Sequence, residues 1–151
     1  MTEEAKNTAL AHFNGGLFCA ESVLLALAQH QEIESDLLPA ISTGFCSGQA
    51  RTCGQCGAVA GALMGLGLAF GRNRGGESLD QAYQAVQNFL KAFESEFGSS
   101  NCQGLLGVDL GTAEGYAEFK DKNLIVRCID YVAKATEMAA EIIDKGNGTV
   151  K

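Results

Sequence analysis

A chain of 151 residues is the length of one domain, able to bury about two-thirds of its unfolded surface without disulfide staples. Hydrophobic residues at 46% and charged ones at 19% exclude global disorder. A net charge of −7, with eleven scattered Lys and Arg, argues against a nucleic-acid partner.

Six cysteines fall well short of a disulfide-built mini-protein. The acidic, polar start Met-Thr-Glu-Glu-Ala-Lys predicts no signal peptide and a cytoplasmic protein. Thiols stay reduced there, so the cysteines read as ligands, catalytic thiols or core residues rather than bridges.

Period-two alternation is nearly absent, so no strand is predicted. Thr2 caps a first helix with Glu3 and Glu4 in its first turn, and Gly15-Gly16 stops it. A second helix runs from about Cys19 to Gln31, with Val23, Leu24, Leu27 and Ala28 as its apolar face. Asp36 to Thr43 reads as a short third helix, capped by Asp36 and carrying Pro39 in its first turn. Gly44 to Gly54 reads as loop.

A helix of small residues follows, from about Cys56 to Phe70. Each interior glycine costs ~1 kcal/mol relative to alanine, which calls for another backbone or a cofactor close to that face. The uncharged run from Thr52 to Phe70 only just reaches the ~20 apolar residues of a membrane span, so a buried helix without membrane insertion is expected.

Arg72 to Glu77 is a turn, and Ser78-Leu79-Asp80-Gln81 is a capping box. The helix it opens has the stripe Leu79, Ala82, Tyr83, Val86, Phe89, Leu90, Phe93 and Phe97, and Gly98 ends it. Ser99 or Ser100 then caps a short turn with Cys102, Leu105 and Leu106, and Val108 to Tyr116 is irregular. A last helix, from about Lys122 to Lys145, buries Ile125, Cys128, Ile129, Val132, Ala135 and Ala139. The expected fold is all-α: a single-domain bundle over residues 1–151, with five or more helices around a central Gly/Ala-rich helix.

The strongest local motif is Cys53-Gly54-Gln55-Cys56, directly before the apolar helix. A cysteine at a helix N-terminus faces unpaired amides and the positive dipole end, which favours thiolate; Arg51 adds to this. The βαβ setting of thioredoxin is missing. A zinc ribbon needs a second CxxC or a His pair, and c-type haem needs CxxCH where position 57 is glycine, so no haem is expected.

Cys19 and Cys102 fall at predicted helix starts, Cys46 in the loop and Cys128 mid-helix. Soft thiolates from separate helices suit Fe–S clusters. For Cys46 and Cys128 a plain core role weighs evenly against this, since free cysteine is among the most buried residue types. His12 and His30 read as surface or boundary residues, Glu94 and Glu96 as a solvated face.

Cys56-Gly57-Ala58-Val59-Ala60-Gly61 resembles the central motif of the C_GCAxxG_C_C family of redox-active proteins. Phe18-Cys19-Ala20 resembles its first cysteine segment, Asn101-Cys102-Gln103-Gly104 its third, and Arg127-Cys128 its fourth. The domain is also similar to part of split-Soret cytochromes. The resemblance implies four functional cysteines, Cys19, Cys56, Cys102 and Cys128, with Cys46 and Cys53 as additions.

Three readings follow. In the first, those four cysteines converge on one site and ligate an Fe–S cluster, [2Fe–2S] favoured, for electron transfer or redox sensing. Cys46 and Cys53 are extra candidate ligands. In the second, Cys53 and Cys56 run a thiol–disulfide cycle, with Cys56 the more acidic. In the third, the module is structural or binds zinc. A redox partner protein is expected on the first reading, and a homodimer stays open.

Overall fold

The protein is all-α. Its computed structural model describes residues 1–149. In chain order the elements are α1 (Thr2–Asn14), α2 (Cys19–His30), a 3-10 turn η1 (Ala40–Phe45) and α3 (Cys46–Arg51). There follow α4 (Gly57–Phe70), α5 (Asp80–Phe97), α6 (Cys102–Leu106), α7 (Ala113–Asp121) and α8 (Ile125–Thr149). Among the described residues the only β pairing is one antiparallel bridge, Gln55 with Asn101. No described helix is long and apolar enough to cross a membrane.

Helix α4 packs against α2, α5 and α8, while α1 closes over α2 and α8. One face of α4 is glycine because α2 lies directly on it. A Cβ on Gly61 would stand 2.6 Å from the Ala20 carbonyl oxygen, and one on Gly65 would collide with the Leu27 side chain. The propensity lost at these glycines is thus exchanged for close helix contact. Around this contact Val23, Leu24, Leu27, Val59 and Leu66 are fully buried, each worth about 1.5–3 kcal/mol of transfer energy. The Phe93 and Phe97 rings pack tilted at 4.8 Å, and Phe97 meets the Tyr131 ring edge-on at 4.9 Å, which fastens α5 to α8.

Several boundaries differ from the sequence reading. Asp36 to Pro39 is turn rather than helix, and Ala40–Phe45 is 3-10, tightened by the Ser42 hydroxyl donating to the Pro39 carbonyl at 2.7 Å. Thr2 lies inside α1, behind Met1 as N-cap. Ser78 forms no capping box. Its Oγ accepts from the Asp80 amide at 3.2 Å, so α5 starts at Asp80. The irregular stretch contains α7, opened by Thr112 accepting from the Gly115 amide at 2.9 Å. Consequently α8 starts at Ile125, not near Lys122, and Cys128 lies in its first turn rather than mid-helix.

The largest departure is α3. Ser47, Gly48, Gln49 and Ala50 have φ of 55°, 63°, 53° and 57°, and Arg51 has 68°, so this turn is left-handed. L-residues disfavour that conformation by roughly 1–2 kcal/mol apiece. Local bonds hold it: the Thr52 hydroxyl donates to the Gln49 carbonyl at 2.8 Å, and the Gly54 amide to the Gly48 carbonyl at 3.0 Å. The expected loop is therefore an ordered, strained turn at the site described next.

Candidate functional site: a cavity walled by helix beginnings

A cavity of about 190 Å³ opens where the first turns of several helices meet. Cys19 is the first residue of α2, Cys56 the N-cap of α4, Cys102 the first residue of α6, and Cys128 sits in the first turn of α8. All four line this cavity. The remaining wall is mostly apolar and aromatic, with Phe13, Phe18, Phe119 and Tyr131 among its members. Among the described residues Arg51 is the one charged side chain on the lining, and its guanidinium lies 4.9 Å from the centre of the Tyr116 ring.

Two of the cysteine segments are fastened to each other by backbone bonds. The Cys56 amide donates to the Ser100 carbonyl at 2.8 Å, and the Cys102 amide to the Gly54 carbonyl at 3.0 Å. The Asn101 side chain donates to the Cys53 carbonyl at 2.8 Å, and its oxygen accepts from the Gly104 amide to cap α6. Asn101, rather than Ser99 or Ser100, is thus the cap. The third contact is Gly48, whose missing Cβ would run into the Cys102 Cβ at 2.5 Å. Positive φ and lack of room together demand glycine there.

Burial sets the thiol chemistry. It pushes the Cys56 thiol up to about 11, although the Val59 and Ala58 amides at the start of α4 pull the other way. The helix terminus is therefore real but outweighed, and the low-pKa nucleophile expected at Cys56 is not what this environment makes. Burial likewise pushes Cys102 up to about 11, and Cys128 up to about 12, with the charge of Cys56 adding to the latter.

Neither Cys46 nor Cys53 lines the cavity. The Cys53 thiol is raised chiefly by its hydrogen bond with Asp109. The buried Cys46 Sγ donates to Glu21 Oε1 at 3.6 Å and to the Ser42 carbonyl at 3.8 Å. Its thiol is raised first by a side-chain hydrogen bond with Cys19 and then by burial. The histidines stand apart from the cavity: His12 bonds Gln29 at 3.0 Å and His30 bonds Asp144 at 2.8 Å.

Four soft thiol donors around an apolar volume are chemically suited to a polyatomic iron–sulfide group, for which the space is more appropriate than for one ion. Among the described residues no three Cys, His, Asp or Glu stand together as a ready site for a single metal ion. The four thiols suit such a group by donor type, but their sulfurs do not stand as a ready ligand set.

Residues 17–142 match the family described as "Putative redox-active protein (C_GCAxxG_C_C)". The chain belongs to this family. The match covers all six cysteines of this C_GCAxxG_C_C protein. No curated protein and no solved structure matches the chain. Sequence reading of this C_GCAxxG_C_C chain missed Tyr116, Glu21 and Asp109 as neighbours of the site. Only Glu21 carried a local signal, as the acidic residue in the first turn of α2.

Proposed function

We propose that the cavity holds an Fe–S cluster, [2Fe–2S] favoured, with Cys19, Cys56, Cys102 and Cys128 as its ligands, for electron transfer or redox sensing. The observation that carries this reading is the meeting of four cysteine-bearing first turns on one apolar cavity. A bound cluster supplies a one-electron couple. The chain supplies the rest. The N-terminal amides of α2, α4 and α8 favour negative charge on the ligand sulfurs, and the Ala58 and Val59 amides act on Cys56 in this way. The aromatic wall keeps water out, and Arg51 offsets anionic charge at the rim.

Cys56, Cys102 and Cys128, with their raised thiol pKa values, keep their protons at neutral pH, so loading the site releases protons and weakens as pH falls. The reading implies a redox partner protein, no nucleic acid, and a cytoplasm that keeps the thiols reduced.

The experiment is anaerobic purification, followed by visible absorbance and iron, sulfide and zinc analysis. Visible absorbance with matched iron and sulfide supports the cluster. A colourless protein that takes up no iron and sulfide on anaerobic reconstitution overturns it.

A further inference from the structure

We propose that Cys19 and Cys46 form a second redox site, a dithiol that closes to a disulfide on reaction with a low-molecular-weight disulfide. Two placements carry this. A Cβ on Gly57 would collide with Cys19 Sγ and stand 3.1 Å from the Phe45 carbonyl oxygen, so the Cys19 sulfur borders the peptide that leads into Cys46. From the other side, Cys46 Sγ reaches Glu21 Oε1 at 3.6 Å, and Glu21 lies two residues beyond Cys19 in the same helical turn.

The two partners differ in a way that assigns their roles. Cys19 lines the cavity and is partly exposed, so it meets the small disulfide first. Cys19 releases its proton to water and as thiolate attacks one sulfur of R–S–S–R, the S–S bond breaks, and the departing thiolate takes a proton back from water to become RSH. Cys46 is buried beneath and resolves the mixed disulfide. Its proton passes to the Glu21 carboxylate, its sulfur attacks Cys19 Sγ, the mixed S–S bond breaks, and the departing thiolate takes that proton from Glu21 to leave as the second RSH. Two cysteine thiols are oxidised by two electrons, one small disulfide is reduced to two thiols, and both protons are accounted for.

Cys46 lies outside the four cysteines that the family signature supplies, so this couple is a property of this chain. Closure would also take Cys19 out of the cavity set. That consequence rests on the cluster reading; the disulfide itself does not.

The test treats the full-length protein, as purified, with oxidised glutathione in graded redox buffers. Free thiols are then alkylated and a non-reducing digest is mapped by mass spectrometry. The expected result is a Cys19–Cys46 linked peptide, lighter by two hydrogens, as the dominant cross-link. In Cys46→Ser, with its fold checked by circular dichroism, Cys19 should stop at the glutathione adduct. A folded wild-type chain in which Cys19 stays unlinked, or links mainly to another cysteine, overturns the proposal. Iron content decides the cluster and the linked peptide decides the disulfide, so either can fail alone.

Discussion

Gly57 leaves no room for a side chain between α4 and the sulfur of Cys19. The glycine after Cys56 therefore fixes how near the second cysteine of the signature stands to the first. Gly67, ten residues on, faces open space.

These two glycines make opposite predictions. Gly57→Ala forces Cys19 or α2 to move and should lower stability by about 1–3 kcal/mol, as overpacking does. Gly67→Ala meets nothing and removes a helix-interior glycine, so it should raise stability by roughly 0.5–1 kcal/mol. Urea unfolding of both variants measures the pair. Equal effects would contradict the packing of α4 on α2.

A second contrast lies in the left-handed turn. Ala50 is exposed with φ of 57°, where glycine is at ease, and Ala50→Gly should stabilise by about 1 kcal/mol. Gly48→Ala adds strain and drives a Cβ into Cys102, so a loss of about 2 kcal/mol or more is expected. Thermal unfolding of the two variants checks the sign.

The thiols also predict a pH dependence. Cys56, Cys102 and Cys128 ionise near 9.0 when unfolded and near 11 to 12 when folded. Above 9.0 the unfolded chain sheds protons that the folded one keeps, so stability falls as pH rises through this window. Each fully shifted thiol contributes a slope of roughly 1.4 kcal/mol per pH unit. Urea midpoints of the reduced, metal-free protein between pH 7 and 10 should decline, and Cys128→Ala should flatten the decline.

Single cysteine replacements separate the two redox sites from Cys53. Cys56→Ser should abolish iron–sulfide incorporation, whereas Cys53→Ser should retain it, because Cys53 faces Asp109 outside the cavity. Iron and sulfide content after anaerobic reconstitution is the measurement. A full complement in Cys56→Ser would remove this cysteine from the ligand set.

Much of the scaffold was legible in the residues. The stripes of α2, α5 and α8 and the stops at Gly15 and Gly98 follow from helical spacing and from glycine after a last turn. The meeting of the four cysteines on one cavity was legible through the family motif and three predicted helix starts. The left-handed turn was not, since no propensity favours Ser, Gln, Ala and Arg in that conformation. The bonds from Thr52 and Gly54 back onto Gln49 and Gly48 hold it. Helix α7 was hidden because its cap, Thr112, is followed closely by Gly115, which reads as a breaker. Missing it displaced the start of α8 and put Cys128 in the wrong part of its helix. The neutral state of Cys56 was equally hidden, because burial in the assembled cavity decides it over the helix terminus.

The paired bonds between the segments around Gln55 and Asn101 have a consequence for how the chain tolerates an empty cavity. Zinc fingers borrow their folding energy from the metal and collapse without it. Here the spacing of Cys56 and Cys102 is set by main-chain amides and carbonyls that never touch the sulfurs. The packed rings of Phe93 and Phe97 brace Tyr131, which lines the cavity. The main chain that carries Cys56 and Cys102 is thus ordered by the fold before anything enters, and what is left to order is the closing of the sulfurs.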